Sequence, residues 1–325
     1  MSDTLSFSDA IKASGSNART VLLGNGFSIA QAGSQFAYTN LLEKSGLAEG
    51  SPVRNVFQVL DTFDFEIVMK ALVDAAQIEL AYGDKDRSKK FTEDAAAVRE
   101  ALIHAIRGVH PGVQFDIPIA QRDACAVFLK NFESIFTLSY DLLLYWVILH
   151  AATKEFQDGF GLGETTDGFR KFNAGGYCNT YYLHGALHLF VDAELDTLKR
   201  IVTTNTIIDD IATTIRDRAQ LPLFVAEGSV SQKLARIRSV PYLTYCYNEL
   251  SSSTGSIFIF GHAASDNDAH IYDAICRSRV ERVFVFVHQP KVNLERMRER
   301  LARYAERRRN IKWSYVDAAT ARVWR

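Results

Sequence analysis

Short apolar runs typical of buried strands alternate with longer helical patterns along most of this chain. The first run, Val21–Leu23, is followed from Phe27 by a helical pattern. Further strand-like runs lie at ESIFTLSYDLLLYW, YCNTYYLHGALHLF, LPLFVAEGS, GSIFIFGHAAS, ERVFVFVHQ and NIKWSYVDA, and helical patterns separate several of them. Strands that alternate with helices are typical of a mostly parallel sheet covered by helices on both faces. We therefore predict a Rossmann-like α/β fold.

One long helical stretch interrupts this alternation. An uninterrupted doubly wound unit would place its second strand within about 30 residues of the first. From Asn40 to Phe128, however, apolar residues recur at three- and four-residue spacing, which is typical of helices. We interpret residues 40–128 as a helical insertion after the first strand–helix unit, and residues 1–39 and 129–325 as the Rossmann-like domain.

Composition and charge exclude several classes of function. The 325 residues are 47% hydrophobic and 23% charged, with a formal net charge of −1, so no overall field favours nucleic acid or a membrane surface. The first residues lack the apolar core of a signal peptide, and the longest apolar run, Leu142–His150, is too short to span a bilayer. We expect a cytoplasmic protein with no membrane partner and no direct nucleic-acid partner.

The four cysteines argue against a zinc ribbon and against a disulfide framework. They are far apart in the sequence and form no C-x-x-C pair: Cys125, Cys178, Cys246 and Cys276. We therefore expect no bound metal.

Glycine and polar residues follow the predicted strands, at the edge where an open parallel sheet binds its ligands. These groups are predicted to line one crevice: Gly24-Asn25-Gly26-Phe27-Ser28, Thr137-Leu138-Ser139-Tyr140-Asp141, His184-Gly185, Glu227-Gly228-Ser229, and the run from Gly261 to Asp268 that contains Ser265 and Asp266.

The glycine pair in the first of these loops has two interpretations that the sequence leaves open. Gly24 and Gly26 could let backbone N–H groups approach a phosphate, or they could serve an ordinary strand-to-helix turn. The third position of a dinucleotide fingerprint is Ile29 rather than glycine, and no G-K-S or G-K-T follows. A standard nicotinamide dehydrogenase and a P-loop ATPase are therefore disfavoured.

His184 likewise has two interpretations, as a core histidine or as a general base. It stands at the end of a strand-like run and directly before a glycine. An ordinary histidine, with a pKa of about 6.5, can accept a proton at neutral pH. A metal pair with His188 would need a helix, whereas the run predicts a strand and a turn with no carboxylate nearby.

Taken in chain order, the motifs G-N-G-F-S, T-L-S-Y-D, H-G and G-H-A-A-S-D-N-D resemble those of the sirtuin superfamily. They are most similar to its bacterial sirtuin-like branch, many of whose members are NAD hydrolases in anti-phage defence. The helical stretch is similar to the insertion of that branch, and FEIVMKAL resembles an F-E segment found there. The resemblance extends from Gly24 to Asp268 and implies that the Rossmann-like domain binds NAD.

The resemblance also implies a role for each matched residue. His184 would be the catalytic base, while Ser139 and Asp141 would position the substrate, Asp141 by holding the nicotinamide carboxamide. The other matched residues would bind NAD: Gly24, Gly26 and Ser28 at the pyrophosphate, Asn25 and Phe27 at the nicotinamide side, and Gly261 and Ser265 under the adenine-side ribose, with Thr137 and Asp266 as two further contacts.

One matched position departs from the family, because asparagine is usual where this chain has Ser139. Serine keeps a donor and an acceptor but loses the amide. We expect an NAD glycohydrolase that releases nicotinamide and ADP-ribose and requires no cofactor beyond NAD as its substrate. The alternative is a catalytically weak or inactive NAD- or ADP-ribose-binding sensor, and protein deacylation is less expected without a zinc ribbon. Because unregulated hydrolysis would be toxic, we expect a homo-oligomer or a partner protein to gate the site.

Overall fold

A six-stranded parallel sheet forms the centre of the molecule. The computed structural model describes residues 4–32, 41–151, 155–161, 167–202, 206–225 and 228–325. In these residues the strands are β1 (Arg19–Leu23), β2 (Ser134–Thr137), β3 (Phe169–Lys171), β4 (Thr180–Tyr182), β5 (Leu189–Val191), β6 (Thr197–Arg200), β7 (Thr254–Phe260), β8 (Arg279–Val287) and β9 (Lys312–Asp317). The main sheet has the order β4-β2-β1-β7-β8-β9, and every neighbouring pair is parallel.

The strand order reverses direction between β1 and β7. From β1 the chain adds β2 and then β4 on one side, and later returns to add β7, β8 and β9 on the other. This is the order of a classical doubly wound sheet, whose ligands bind at the point of reversal. Val21–Leu23 are fully buried, as expected for a parallel strand with both faces covered. The predicted Rossmann-like α/β fold is confirmed.

Helices flank the sheet. Outside residues 40–128, the described helices are α1 (Phe7–Ser14), α2 (Gly26–Ala32), α8 (Leu143–Ala151), α9 (Ile207–Arg218), α10 (Val230–Ser239), α11 (Pro241–Ser251), α12 (Ala269–Arg277) and α13 (Pro290–Arg307). None of the helices in the described ranges combines the length and the apolar character that crossing a membrane requires.

The stretch between β1 and β2 is helical in the described residues. It contains α3 (Leu41–Lys44), α4 (Pro52–Val59), α5 (Phe65–Ala81), α6 (Lys85–Val109) and α7 (Ile119–Leu129). One stripe of α5 is buried, and aspartate side chains cap the N-termini of α5 and α6. The buried apolar side chains of these helices join those of the sheet in one continuous cluster. The boundary expected at residues 39 and 40 lies outside the described residues, and the division into domains stays a prediction.

A small antiparallel sheet, in the order β3-β6-β5, was not predicted. Two predicted strands were also wrong in extent. The run from Glu133 to Trp146 is a strand only to Thr137 and becomes α8 at Leu143. The prediction failed there because the uniformly buried apolar residues of that helix show no helical periodicity. In LPLFVAEGS, Phe224 forms a single bridge with Gly185, and Glu227 lies outside the described residues.

An ion pair connects the helical stretch to α10. Arg236 donates to the carboxylate of Glu66, close to the buried Asp64 at the start of α5. Burial raises the pKa of both carboxyls above their ordinary values, and the charge of Arg236 acts in the opposite direction. Their contribution to stability is therefore greatest below the ordinary pKa values and is lost as the pH rises through the folded-state values.

We expect Arg236→Gln to lower the free energy of unfolding by about 1 kcal/mol at pH 7, because Glu66 is partly exposed and its ion pair is weakened by solvent. The loss should shrink near pH 4, where more of the carboxyl groups are protonated in both states. Urea unfolding at the two pH values measures this difference. Arg238→Gln, an exposed change on the same helix, is the control, and an equal loss at both pH values would contradict the argument.

Candidate active site

The loops that follow β1 and β7 are in direct backbone contact at the point where the sheet reverses. The N–H of Gly26 donates to the carbonyl oxygen of Gly261 at 2.7 Å. A Cβ atom on Gly24 would lie 2.7 Å from that oxygen, and one on Gly26 would lie 2.6 Å from the Gly261 Cα. Gly261 has a φ of +70°, and a Cβ atom there would lie 2.6 Å from the carbonyl carbon of Gly26. Close approach of the two loops therefore requires all three glycines.

The backbone N–H groups of the first loop are largely used within the chain. Gly24 donates to Phe260, Phe27 to Gly24, and Ser28 to Asn25, whose carbonyl oxygen begins α2. Phe27 itself is buried against the ring of Trp324 at 4.9 Å, and the Trp324 Nε1 donates to its carbonyl oxygen. The contacts within the chain therefore explain these glycines as parts of a strand-to-helix turn. The expected contacts of Gly24, Gly26, Phe27 and Asn25 with NAD stay predictions.

A buried cluster of hydroxyl groups surrounds Asp141 at the carboxyl end of β2. The Ser28 hydroxyl donates to its Oδ2, and the Ser139 hydroxyl donates to the same oxygen at 2.5 Å. The two hydroxyl oxygens are 3.4 Å apart. Ser28, Ser139 and Asp141 are at most 4% exposed, and in the described part of the chain no lysine or arginine pairs with Asp141. Two of the predicted motifs are therefore joined by one carboxylate.

Local turn geometry fixes this carboxylate. Thr137 Oγ1 accepts from the N–H of Ser139 at 3.1 Å, which turns the chain at the end of β2. Asp141 Oδ1 accepts from the N–H of Leu143 at 2.8 Å, so the same side chain starts α8. His110, at the end of α6, is buried; burial lowers its pKa, and the charge of Asp141 acts against that shift. The helical stretch thus places a histidine within electrostatic range of this cluster.

His184 lies two residues beyond β4, in a turn packed tightly against the chain before α10. Its carbonyl oxygen accepts from the N–H of Val225 at 2.8 Å. Gly185 has a φ of +75°, and a Cβ atom there would lie 2.0 Å from the carbonyl oxygen of Leu223. The glycine of the H-G motif is therefore required by packing. His188 is buried between Tyr145 and Tyr182 and forms no pair with His184.

The ring of His184 meets the ring of His270 from α12. Their Nε2 atoms are 3.1 Å apart and both side chains are buried. Burial lowers the pKa of His184 well below its ordinary value and lowers the pKa of His270 to about 4. Both imidazoles are therefore unprotonated at neutral pH, with ring nitrogens able to accept a proton or a ligand.

Asp268 lies beside the two histidines and is held by three donors. Lys233, a buried lysine of α10, donates to Oδ1 at 2.8 Å, while His262 Nε2 and the Ser265 hydroxyl lie 3.2 Å and 3.1 Å from Oδ2. His262 Nδ1 accepts from the N–H of Ala264, so this ring carries its proton on Nε2. Burial alone would raise the pKa of Asp268, but the hydrogen bond from His262 and the charge of Lys233 keep it below its ordinary value.

The expected site residues consequently fall into two clusters. Ser28, Ser139 and Asp141 form the hydroxyl cluster, and His184 and Ser265 belong to the histidine cluster with His270, Asp268, His262 and Lys233. Among the described residues, no hydrogen bond joins one cluster to the other. Asp266 lies apart from both, since it is exposed and pairs with Arg303 at 2.5 Å.

Sequence reasoning missed several members of these clusters. His262 and Asp268 lie within a quoted motif but were given no role, and Lys233 and His270 lie on helices that no motif marks. The spacing between His184 and His270 is 86 residues. Only the order of the strands brings such distant positions together, so no local pattern could have revealed the pair.

The fold and the clusters define a class: an α/β protein with a doubly wound sheet and buried carboxylate and imidazole groups at the carboxyl edge of its strands. The chain matches the domain family of unknown function DUF4917 over residues 21–324 and belongs to that family. A search of curated proteins gives no match.

Proposed function

We propose that this protein binds NAD at the carboxyl edge of the sheet and hydrolyses its nicotinamide–ribose bond. One observation carries the proposal: the neighbouring strands β2 and β4 end in a buried carboxylate, Asp141, and a buried unprotonated imidazole, His184. Burying such groups costs free energy, although Asp141 also has a folding role because it starts α8. Buried acid and base groups at the ligand-binding edge are typical of catalytic sites.

The hydroxyl cluster suits the recognition of the leaving group. A carboxylate accepts hydrogen bonds, so Asp141 can accept from the carboxamide N–H₂ of nicotinamide. Ser28 and Ser139 currently donate to Asp141, and their hydroxyls can rotate to meet a ribose hydroxyl when the carboxamide takes their place. Fixed orientation of the ribose is what this reaction most needs from the protein, because bond cleavage forms a cation-like ribosyl centre.

The histidine cluster suits the activation of water. The C1′–N bond breaks with its electron pair going to the ring nitrogen, so nicotinamide leaves as a neutral molecule and needs no general acid. Water then forms the new C1′–O bond and loses a proton, which His184 accepts. The products are nicotinamide, ADP-ribose and a proton. General-base catalysis of this kind contributes about 10²–10⁴-fold to the rate.

Control of the site completes the proposal. Ser28, Ser139 and Asp141 are nearly inaccessible in this conformation, so substrate has to separate the hydroxyls from the carboxylate as it enters. We propose that assembly into a homo-oligomer, or contact with a partner protein, favours the open arrangement. The protein would then act in the bacterial cytoplasm, where depletion of NAD limits phage growth.

A nucleotide sensor without turnover is the second candidate, and the bonding of Ser139 favours it. The hydroxyl of this residue is directed to Asp141 at 2.5 Å, and serine lacks the amide that is usual at this position in the sirtuin-like hydrolases that the motifs resemble. Such a protein would bind NAD or ADP-ribose and change its assembly without cleaving the glycosidic bond.

Substitutions of Ser139 test the choice between these functions. If serine supports hydrolysis, Ser139→Ala should lower the rate of nicotinamide release by about fivefold, since it removes one hydrogen bond worth about 1 kcal/mol. Ser139→Asn should then retain or raise the rate. An inactive wild type together with an active Ser139→Asn variant would identify a sensor. Equal rates for wild type and Ser139→Ala would remove Ser139 from the mechanism.

A further inference from the structure

The geometry points to a binding site for a divalent transition-metal ion formed by His184, His270 and Asp268. One ring nitrogen of each imidazole and one carboxylate oxygen of Asp268 all lie within 4.8 Å of one another. Two histidines and one carboxylate are a common ligand set for such ions, with further positions left for water or substrate. This site goes beyond the proposed hydrolysis and can be tested without any nucleotide.

The separation of the two histidine nitrogens fits two ligands of one ion. Zinc–nitrogen bonds are about 2.0–2.1 Å, so two imidazoles on one ion place their nitrogens about 3 Å apart at angles between octahedral and tetrahedral. The observed Nε2–Nε2 distance is 3.1 Å. His270 Nδ1 is buried and has no hydrogen-bond partner in the described residues. No hydrogen bond at that nitrogen therefore fixes the orientation of the ring, and Nε2 can turn from His184 towards an ion.

Asp268 retains the capacity to bind an ion. Its two oxygens offer about four acceptor positions, and three are used: one on Oδ1 by Lys233, and two on Oδ2 by His262 and Ser265. One position on Oδ1 is left. Bonds from neighbouring residues to a ligating carboxylate orient it, as partners outside the coordination shell do in established metal sites.

The ligand chemistry selects the kind of ion. Imidazole nitrogens favour zinc, cobalt, nickel and ferrous iron, whereas magnesium and calcium prefer oxygen ligands. The charge of Lys233 offsets that of Asp268, which further disfavours hard cations that need several negative ligands. A bound ion would supply a Lewis acid at the edge of the sheet, and His184 would then act as its ligand.

Cobalt(II) titration of the untagged full-length chain tests the site, with visible absorption as the readout and zinc calorimetry in parallel. We expect one ion per chain and no near-ultraviolet band from a cysteine thiolate. His270→Gln should weaken binding by at least about 10–100-fold. Asp268→Asn is the second variant, because it keeps a similar shape and an oxygen acceptor if His270→Gln fails to fold.

His150→Gln is the matched control. His150 Nε2 lies 2.8 Å from Asp123 on the surface. This pair has one histidine and one aspartate but lacks the second histidine of the proposed site. The His150→Gln variant should therefore bind the ion as the wild type does. Absence of binding in the wild type with excess ion, a thiolate band, or unchanged affinity in a folded His270→Gln or Asp268→Asn variant would overturn the proposal. Since the titration does not involve NAD, failure of the metal site and failure of the hydrolysis are separate results.

Discussion

Replacing His184 with alanine is expected to reduce the rate of nicotinamide release from NAD by about 10²–10⁴-fold. In the proposed mechanism the imidazole acts in the chemical step, so NAD affinity should change far less than the maximal rate. The side chain is buried and contacts His270, so thermal unfolding of the variant should be measured beside its kinetics. Steady-state rates and equilibrium NAD binding together separate a chemical defect from a binding defect.

The surface histidine His150 provides the control for that experiment. His150→Ala removes an imidazole that pairs with Asp123 on the surface, far in sequence from β4, and its rate should equal that of the wild type. Full activity in a folded His184→Ala variant would exclude His184 from the reaction, whether as a free base or as a metal ligand.

The largest effect on folding is expected from Gly26→Ala. Its Cβ atom would lie 2.6 Å from the Gly261 Cα and 2.7 Å from the Gly261 carbonyl oxygen, and both are backbone atoms that no rotamer change can move. Forcing these loops apart should lower the free energy of unfolding by about 3 kcal/mol, at the upper end of overpacking effects. Chemical denaturation followed by circular dichroism measures the change.

Gly108→Ala is a matched control within α6. No atom beyond its own helix lies within 4 Å of the added Cβ, and alanine is favoured over glycine in helices by about 1 kcal/mol. This variant should be as stable as the wild type or more stable. A Gly26→Ala variant of wild-type stability would mean that the two loops are not as close as described, and would return their glycines to the phosphate interpretation.

The strands could be predicted because a strand that is buried on both faces has a continuous run of apolar residues. Ile257–Phe260 and Val283–Val287 are continuous apolar runs, and both lie in central strands. The same reasoning failed for Leu143–Val147, since a helix buried all round has no polar face and resembles a buried strand in sequence. The antiparallel sheet was missed because its strands have only three or four residues.

Part of the candidate site could be predicted from the parallel sheet itself. Positions after parallel strands meet at one edge, so the proximity of Ser28 and Asp141 follows from the strand order. The reason for a glycine at a given position cannot be predicted in the same way. Gly24 and Gly26 approach the backbone of Gly261, and the sequence does not reveal which atoms lie close to them. His270 and Lys233 reach the site from helices, where their orientation depends on packing.

The central claim is that this chain cleaves NAD at the carboxyl edge of its sheet. Incubation of the purified full-length protein with NAD, followed by chromatographic measurement of nicotinamide and ADP-ribose in every oligomeric fraction, tests it most directly. The account predicts equal amounts of the two products in at least one fraction, and their loss in His184→Ala. Absence of nicotinamide release from every fraction of the wild type, even with NAD bound, would contradict it.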